Sequence, residues 1–252
     1  MSAALQSPWP DGCEAAISLT FDDGMKSQLE RAIPYMNKTG LRGTFYVNPR
    51  GEDWRAHLDP WREVAAAGHE IGNHTCNHPC SRNLWGNSTG LETMTLAEVE
   101  ADILEAERRL AEALPEQKSR SFCYPCYQQH VGEGSTRQSY VPVVAKHFIA
   151  GRGGTAERGH MNDPLYCDLH YLLAQPCERM WAHEMIGMCE RAATQGKWFI
   201  LVFHGITQEH LAVADADFRE LCDHLIRHRK RFFSAPVIDV AQRVQQWRPA
   251  AR

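Results

Sequence analysis

Two adjacent carboxylates, Asp22 and Asp23, stand at the end of a short apolar run and directly before Gly24. Adjacent acids repel, so such a placement is costly unless a cation or a shared proton relieves the charge. Further on, His74 and His78 sit four apart, a spacing at which one helical turn brings both rings to the same side. Two imidazoles and one carboxylate are a common catalytic metal set that leaves a position open for water or substrate. Such a metal lowers the pKa of water from about 15.7 towards roughly 7 and polarises a carbonyl. Each feature also has an ordinary reading. Asp22-Asp23-Gly24 can cap a helix, and His74 and His78 can hydrogen-bond within a loop. Their occurrence together favours the metal.

The elements that must carry these residues alternate along the chain. Strands are read at Ala16–Thr20, Gly43–Asn48, His69–Asn73, Ser121–Tyr124, His147–Ala150, Lys197–Phe203 and Arg231–Ser234, with Tyr166–Leu172 as a further strand of poor pattern. Helices are read at Lys26–Lys38, Pro60–Ala67, Leu96–Leu114, Glu178–Thr194 and Asp217–Arg229. The helix from Leu96 is the clearest, because Leu96, Val99, Ile103, Ala106 and Leu110 recur at three- and four-residue steps and Thr95 with Glu98 makes a capping box. Apolar strands alternating with helices imply parallel strands covered by helices. The fold expected is α/β, a closed or nearly closed βα barrel, with a doubly wound open sheet as the alternative. No linker or repeat divides residues 1–252, so one domain is expected. In a βα barrel the chemistry lies at the carboxyl ends of the strands. Asp22-Asp23, His74 to His78, Tyr124-Pro125-Cys126 and His204 all fall there.

The formal charge of -4 gives no basic field and argues against a nucleic-acid partner. No stretch approaches the roughly 20 apolar residues that span a bilayer, so no membrane partner is expected. The first residues carry no charged n-region and no apolar h-region. Nine cysteines cannot all pair within one chain, and their spacings do not suggest a secreted disulfide scaffold. A cytoplasmic, reducing compartment is therefore the expectation.

Three segments, Thr20–Gly24 (TFDDG), His74–Pro79 (HTCNHP) and Leu201–Gly205 (LVFHG), resemble in that order the polysaccharide deacetylases of the NodB-homology type, carbohydrate esterase family 4. The resemblance implies a distorted (β/α)7-8 barrel. It implies that Asp23, His74 and His78 hold a divalent metal: zinc by default, with cobalt, nickel or manganese fitting the same ligands. It further implies that Asp22 is the general base acting on metal-bound water and that His204 is the general acid for the leaving amine or alcohol. The substrate it implies is an N- or O-acetylated saccharide.

The third motif departs from the family pattern. Many members carry an arginine followed by Pro-Pro-Tyr-Gly, the arginine steadying the catalytic Asp; here Cys123 stands at the arginine's place, before Tyr124, Pro125 and Cys126. The Cys126 N–H takes the oxyanion position, and Arg152 is the replacement expected for the missing arginine because it follows another strand. Asp163 and Asp168 both lie where the acid orienting His204 belongs, and the sequence does not choose between them. Competing readings are a thiolate zinc site or redox pair among Cys76, Cys80, Cys123 and Cys126, a non-catalytic saccharide-binding protein, and hydrolysis of another C–N bond in a small molecule.

Overall fold

All eight residues of β1 (Ala15–Asp22) are buried, which an alternating apolar and small-polar strand tolerates only when both faces are covered. The computed structural model describes residues 7–87, 90–154 and 157–249. After β1 come β2 (Thr44–Val47), β3 (Glu70–Asn73), β4 (Phe122–Cys123), β5 (His130–Val131), β6 (Gln138–Ser139), β7 (Gly151–Arg152), β8 (Gln175–Pro176), β9 (Trp198–Phe203) and β10 (Phe232–Ser234). The helices are α1 (Ile33–Thr39), α2 (Trp54–Ala66), α3 (Leu96–Ala113), α4 (Val141–His147), α5 (Ala182–Gln195), α6 (Asp215–Arg227) and α7 (Val237–Trp247).

The main sheet runs β7-β4-β3-β2-β1-β9-β8, with β10 beside the start of β1 and every pairing parallel. A bridge between Arg152 and Leu172 brings the chain ahead of β8 back to β7, so the sheet curls nearly closed. The distorted (β/α) barrel is found, and the open doubly wound sheet is not. Strand alternation sorts the side chains of β1. Ile17, Leu19 and Phe21 pack outward with residues of α1, α2, α5 and α6. Ser18, Thr20 and Asp22 alternate with them: Ser18 hydroxyl donates to the Ala235 carbonyl (2.8 Å) and Thr20 to the Leu201 carbonyl (2.8 Å).

Helix α3 has the capping box expected, with Thr95 N–H donating to Glu98 Oε2 at 2.7 Å and Glu98 N–H to Thr95 Oγ1 at 3.3 Å. Other boundaries need correction. Helix α2 starts at Trp54 and carries Pro60 inside it. An interior proline costs about 3 kcal/mol. Burying Trp54, Leu58, Trp61 and Val64 on one face gains roughly 1.5–3 kcal/mol each for side chains of this size, which outweighs it. The segment 166–172 is turns and not a strand, apart from the bridge at Leu172, and the strand is Gln175–Pro176. The strand expected at 147–150 lies instead at Gly151–Arg152. Helix α7 went unread; its Val237, Val240, Ala241 and Val244 cluster with Trp198, Ile200 and Val202 of β9.

Candidate metal and hydrolytic site

Asp23 follows β1 in a left-handed conformation (φ 70), which turns its carboxylate towards the loop after β3. His74 and His78 come from that loop, their ring centroids 4.7 Å apart and nearly perpendicular. No helical turn joins them, contrary to the expectation from spacing. Thr75 (φ 60) and His78 (φ 49) are left-handed, and such strained non-glycine positions persist where their surroundings over-determine them. Here Asn73 Oδ1 accepts from Thr75 N–H (2.9 Å), Thr75 Oγ1 from His78 N–H (3.0 Å), and Asp102 of α3 from Asn77 Nδ2 (2.6 Å).

Asp23 Oδ1 lies 3.5 Å from His74 Nε2 and 3.4 Å from His78 Nε2. Tetrahedral donors at about 2.0–2.1 Å from a cation stand roughly 3.3–3.4 Å apart, so these separations suit a shared ion. His74 Nδ1 lies 3.0 Å from the Cys123 carbonyl, which fixes the ring and leaves Nε2 as the donor atom. Burial, then the neighbouring His74, pushes His78 down to about 4. Against its burial, Cys123, Asp23 and Asp22 hold His74 well above the usual imidazole range, so a cation here would displace a proton from His74. Burial pushes Asp23 up, but the His74 hydrogen bond and the charges of His74, His78 and His204 hold it far below the usual carboxylate range.

Two other groupings of ligand atoms occur among the described residues, Asp22 with His74 and Cys123, and His78 with Cys80 and Cys126. Neither suits a metal as well. Burial pushes the Cys123 thiol up against the pull of Arg152, which disfavours a thiolate. Cys80 and Cys126 form a disulfide. That bond corrects the sequence reading, which saw no disulfide in the spacings and considered the pairs Cys123/Cys126 and Cys76/Cys80.

Behind Asp22 the second layer is built by strand register. Cys123 of β4 pairs directly with Arg152 of β7. The short cysteine side chain leaves space that the guanidinium fills. Arg152 Nη2 donates to Asp22 Oδ1 and lies 2.8 Å from Cys123 Sγ. The guanidinium is fully buried between two aromatic rings, 5.1 Å from the Tyr46 centroid and 5.5 Å from that of Tyr127. Gly72 on β3 has no Cβ to collide with the Tyr46 ring, and Tyr46 is anchored through its hydroxyl to Ser121 Oγ at 2.8 Å.

His204 follows β9, with Nε2 3.9 Å from Asp22 Oδ2 and 4.0 Å from Asp23 Oδ2. Burial pushes its pKa down while the two acids pull it up. Neither acid considered for orienting it does so: Asp163 pairs with Lys197, and Asp168 accepts from His170 N–H (2.9 Å). Gln28 was missed. Its Nε2 donates to the Asp22 carbonyl (2.6 Å) and the His204 carbonyl (3.1 Å), clamping the two strand ends together. Gln28 opens a π-helical turn, Gln28–Ala32, a distortion often found at functional sites.

A cavity of about 1170 Å³ opens over these residues, lined by Asp22, Asp23, His74, His78, His204 and Cys126, and by Arg50, His57, Trp85, Tyr127 and His210. Tyr124 and Pro125, expected with Cys126 at the catalytic strand ends, do not line it, and Arg152 lies behind Asp22 rather than on the cavity wall. On β4 and its turn, alternation sends Cys123 inward and the Tyr124 ring outward, where the hydroxyl donates to the His170 carbonyl (2.7 Å). Trp85, half exposed, meets the His210 ring at 5.6 Å, so the loop after β3 and the loop after β9 touch across one side of the cavity.

Residues 10–131, which hold Asp22, Asp23, His74, His78 and Cys126, match the family model for polysaccharide deacetylase. A chitin deacetylase from Arthroderma benhamiae is 34% identical over 95 residues, an alignment covering 36% of this chain and 25% of that protein. The chain thus matches about a quarter of that relative's length. In overall fold the chain is similar to Puue allantoinase, with a TM-score of 0.67 and 14% identity over 100% of this chain and 99% of the other. It is similar as well to a family 4 acetyl xylan esterase from Clostridium thermocellum in complex with a cobalt ion, with a TM-score of 0.56, 16% identity and 93% of each chain covered.

Proposed function

From the match of residues 10–131 to the polysaccharide deacetylase family model, we propose that the chain is a metal-dependent hydrolase removing acetyl groups from an N- or O-acetylated saccharide. The observation that carries this reading is the meeting, in one cavity, of the Asp23-His74-His78 donor set with the Arg152-supported Asp22 and with His204. A bound divalent metal, zinc by default, supplies an activated water and polarises the acyl carbonyl.

The chain's own groups do the rest. Asp22 takes a proton from the attacking water, and Arg152 holds the carboxylate in place from behind, where water cannot reach. His204, on the other strand end, delivers a proton to the departing nitrogen or oxygen. Cys126 lines the cavity, and its backbone N–H is the group this reading assigns to the oxyanion, where one such donor is worth about 2.7–4 kcal/mol.

An acetate-release screen of the metal-loaded protein tests this, with acetylated chito-oligosaccharides, peptidoglycan fragments, acetylxylan and simple N-acetyl sugars. Acetate from at least one class supports the reading, and none from any class rejects it. A second reading, hydrolysis of another C–N bond in a small molecule, is favoured by the Trp85–His210 contact, which narrows one side of the cavity rim. Free amine or ammonia formed without acetate would select it.

A further inference from the structure

The disulfide joins Cys80 to Cys126 across 46 residues, and each cysteine adjoins a different part of the proposed apparatus. Cys80 follows His78 by two residues, and its sulfur lies 3.6 Å from His78 Nδ1, the ring nitrogen opposite the one that faces Asp23. Cys126 is the residue whose N–H faces the reacting carbonyl in the reading above. It sits at a turn with two successive left-handed residues, Cys126 (φ 52) and Tyr127 (φ 58), a conformation that needs external support in side chains other than glycine's. Residues 74–87 contain no helix or strand that could hold His78 by backbone pairing. A hydrogen bond from Ser81 N–H to Gln128 Oε1 (2.7 Å) continues the seam that the disulfide begins. Cys80 is buried and Cys126 partly exposed, and both line the cavity, so the bond is open to attack from that side.

We propose that the Cys80–Cys126 disulfide is a positioning element of the site and a redox gate upon it. Closed, it ties the loop delivering His78 to the turn carrying the Cys126 N–H. Opened, the two move independently, and both metal affinity and turnover fall. Opening takes two electrons and two protons from a dithiol, which itself becomes a disulfide, and leaves two thiols on the chain. The catalytic consequence rests on the hydrolytic reading above; the effect on metal binding does not.

The test compares oxidised full-length protein with Cys80→Ala/Cys126→Ala, by Zn2+ titration calorimetry and by acetate-release kinetics with and without prior dithiol treatment. The double variant is expected to bind Zn2+ about tenfold more weakly and to lose about tenfold in kcat with KM little changed, the range of supports around a metal ligand. Dithiol should lower wild-type kcat to the same level and leave the variant unchanged. Leu225→Ala, in the core of α6, is the control, since it lowers Tm without moving Zn2+ affinity. Equal Zn2+ affinity in variant and wild type overturns the proposal. So does a second Zn2+ equivalent bound by the reduced wild type, which would make the thiols ligands in their own right. If the wild type releases no acetate at all, the hydrolytic reading falls, while the Zn2+ comparison still decides the positioning claim.

Discussion

Arg152 and Asp22 are ion-paired across 130 residues of sequence, both buried and both inside the barrel wall. The pair is possible because β7 and β4 are in register at Cys123 and Arg152, so an arginine one strand over occupies the space a cysteine leaves. A buried charge that loses its partner is strongly penalised, which makes this pair a structural necessity beside its part in the proposed hydrolysis.

Replacing Arg152 by Met therefore leaves Asp22 uncompensated. kcat is expected to fall by about 10²-fold, at the lower end of what a positioned base contributes. Zn2+ affinity should change far less, because Arg152 touches no member of the metal triad. Arg152→Lys should recover only part of the rate, since a point charge cannot reproduce the planar fork that meets Asp22, Cys123 and the Gly153 carbonyl. Parallel kinetics and metal titration check this.

For the triad itself, His74→Ala should weaken Zn2+ binding by at least about 100-fold, while Cys123→Ser stays within about tenfold of wild type. Calorimetry on both variants separates them. Metal retained in His74→Ala and lost in Cys123→Ser would move the ion to the Asp22-His74-Cys123 grouping or a thiolate cage.

The grouping of Asp23, His74 and His78 was legible in the sequence because its signal is local: two acids at the end of an apolar run and two histidines within five residues. Arg152 was named because it follows the strand expected at 147–150; it lies within β7 instead, and only the register of β4 and β7 explains how it reaches Asp22. Other parts depend on contacts that no local pattern carries. The Cys80–Cys126 bond spans two loops without periodicity. Gln28 acts through backbone carbonyls of two strands far apart in sequence. Tyr124 was placed in the site by motif alone, whereas strand alternation turns its ring to the opposite face from Cys123. Helix α7 is a different case: Val237, Val240, Ala241 and Val244 recur at three- and four-residue steps, a local signal that went unread, and that face packs beside β9.

A buried histidine away from the site contributes to acid sensitivity. His69 is buried, accepts from Gly43 N–H at Nδ1 (3.1 Å), and is pushed down to about 4 by burial and then by Arg42. Its folded pKa lies below the unfolded value near 6.5, so its contribution is complete above pH 6.5 and is lost as pH falls towards 4. The window is worth up to roughly 3 kcal/mol. Urea unfolding at a series of pH values should give a shallower slope between pH 6.5 and 4 for His69→Gln than for wild type. An identical slope would assign the acid sensitivity elsewhere.

Trp85 is half exposed at the cavity rim and touches His210. Trp85→Ala should alter stability by no more than about 0.5 kcal/mol, as for most surface changes. If the ring packs against bound substrate, KM rises by about tenfold with kcat retained, the signature of binding lost equally from ground and transition states.

The most direct measurement of the central claim is the rate of acetate release by Asp22→Asn relative to wild type, both loaded to the same metal content, on the best substrate of the screen. The asparagine keeps the shape but cannot take the proton, so the rate is expected to fall by at least about 10²-fold with metal still bound. An unchanged rate would contradict the account, because Asp22 and the buried Arg152 behind it would then have no part in the hydrolysis.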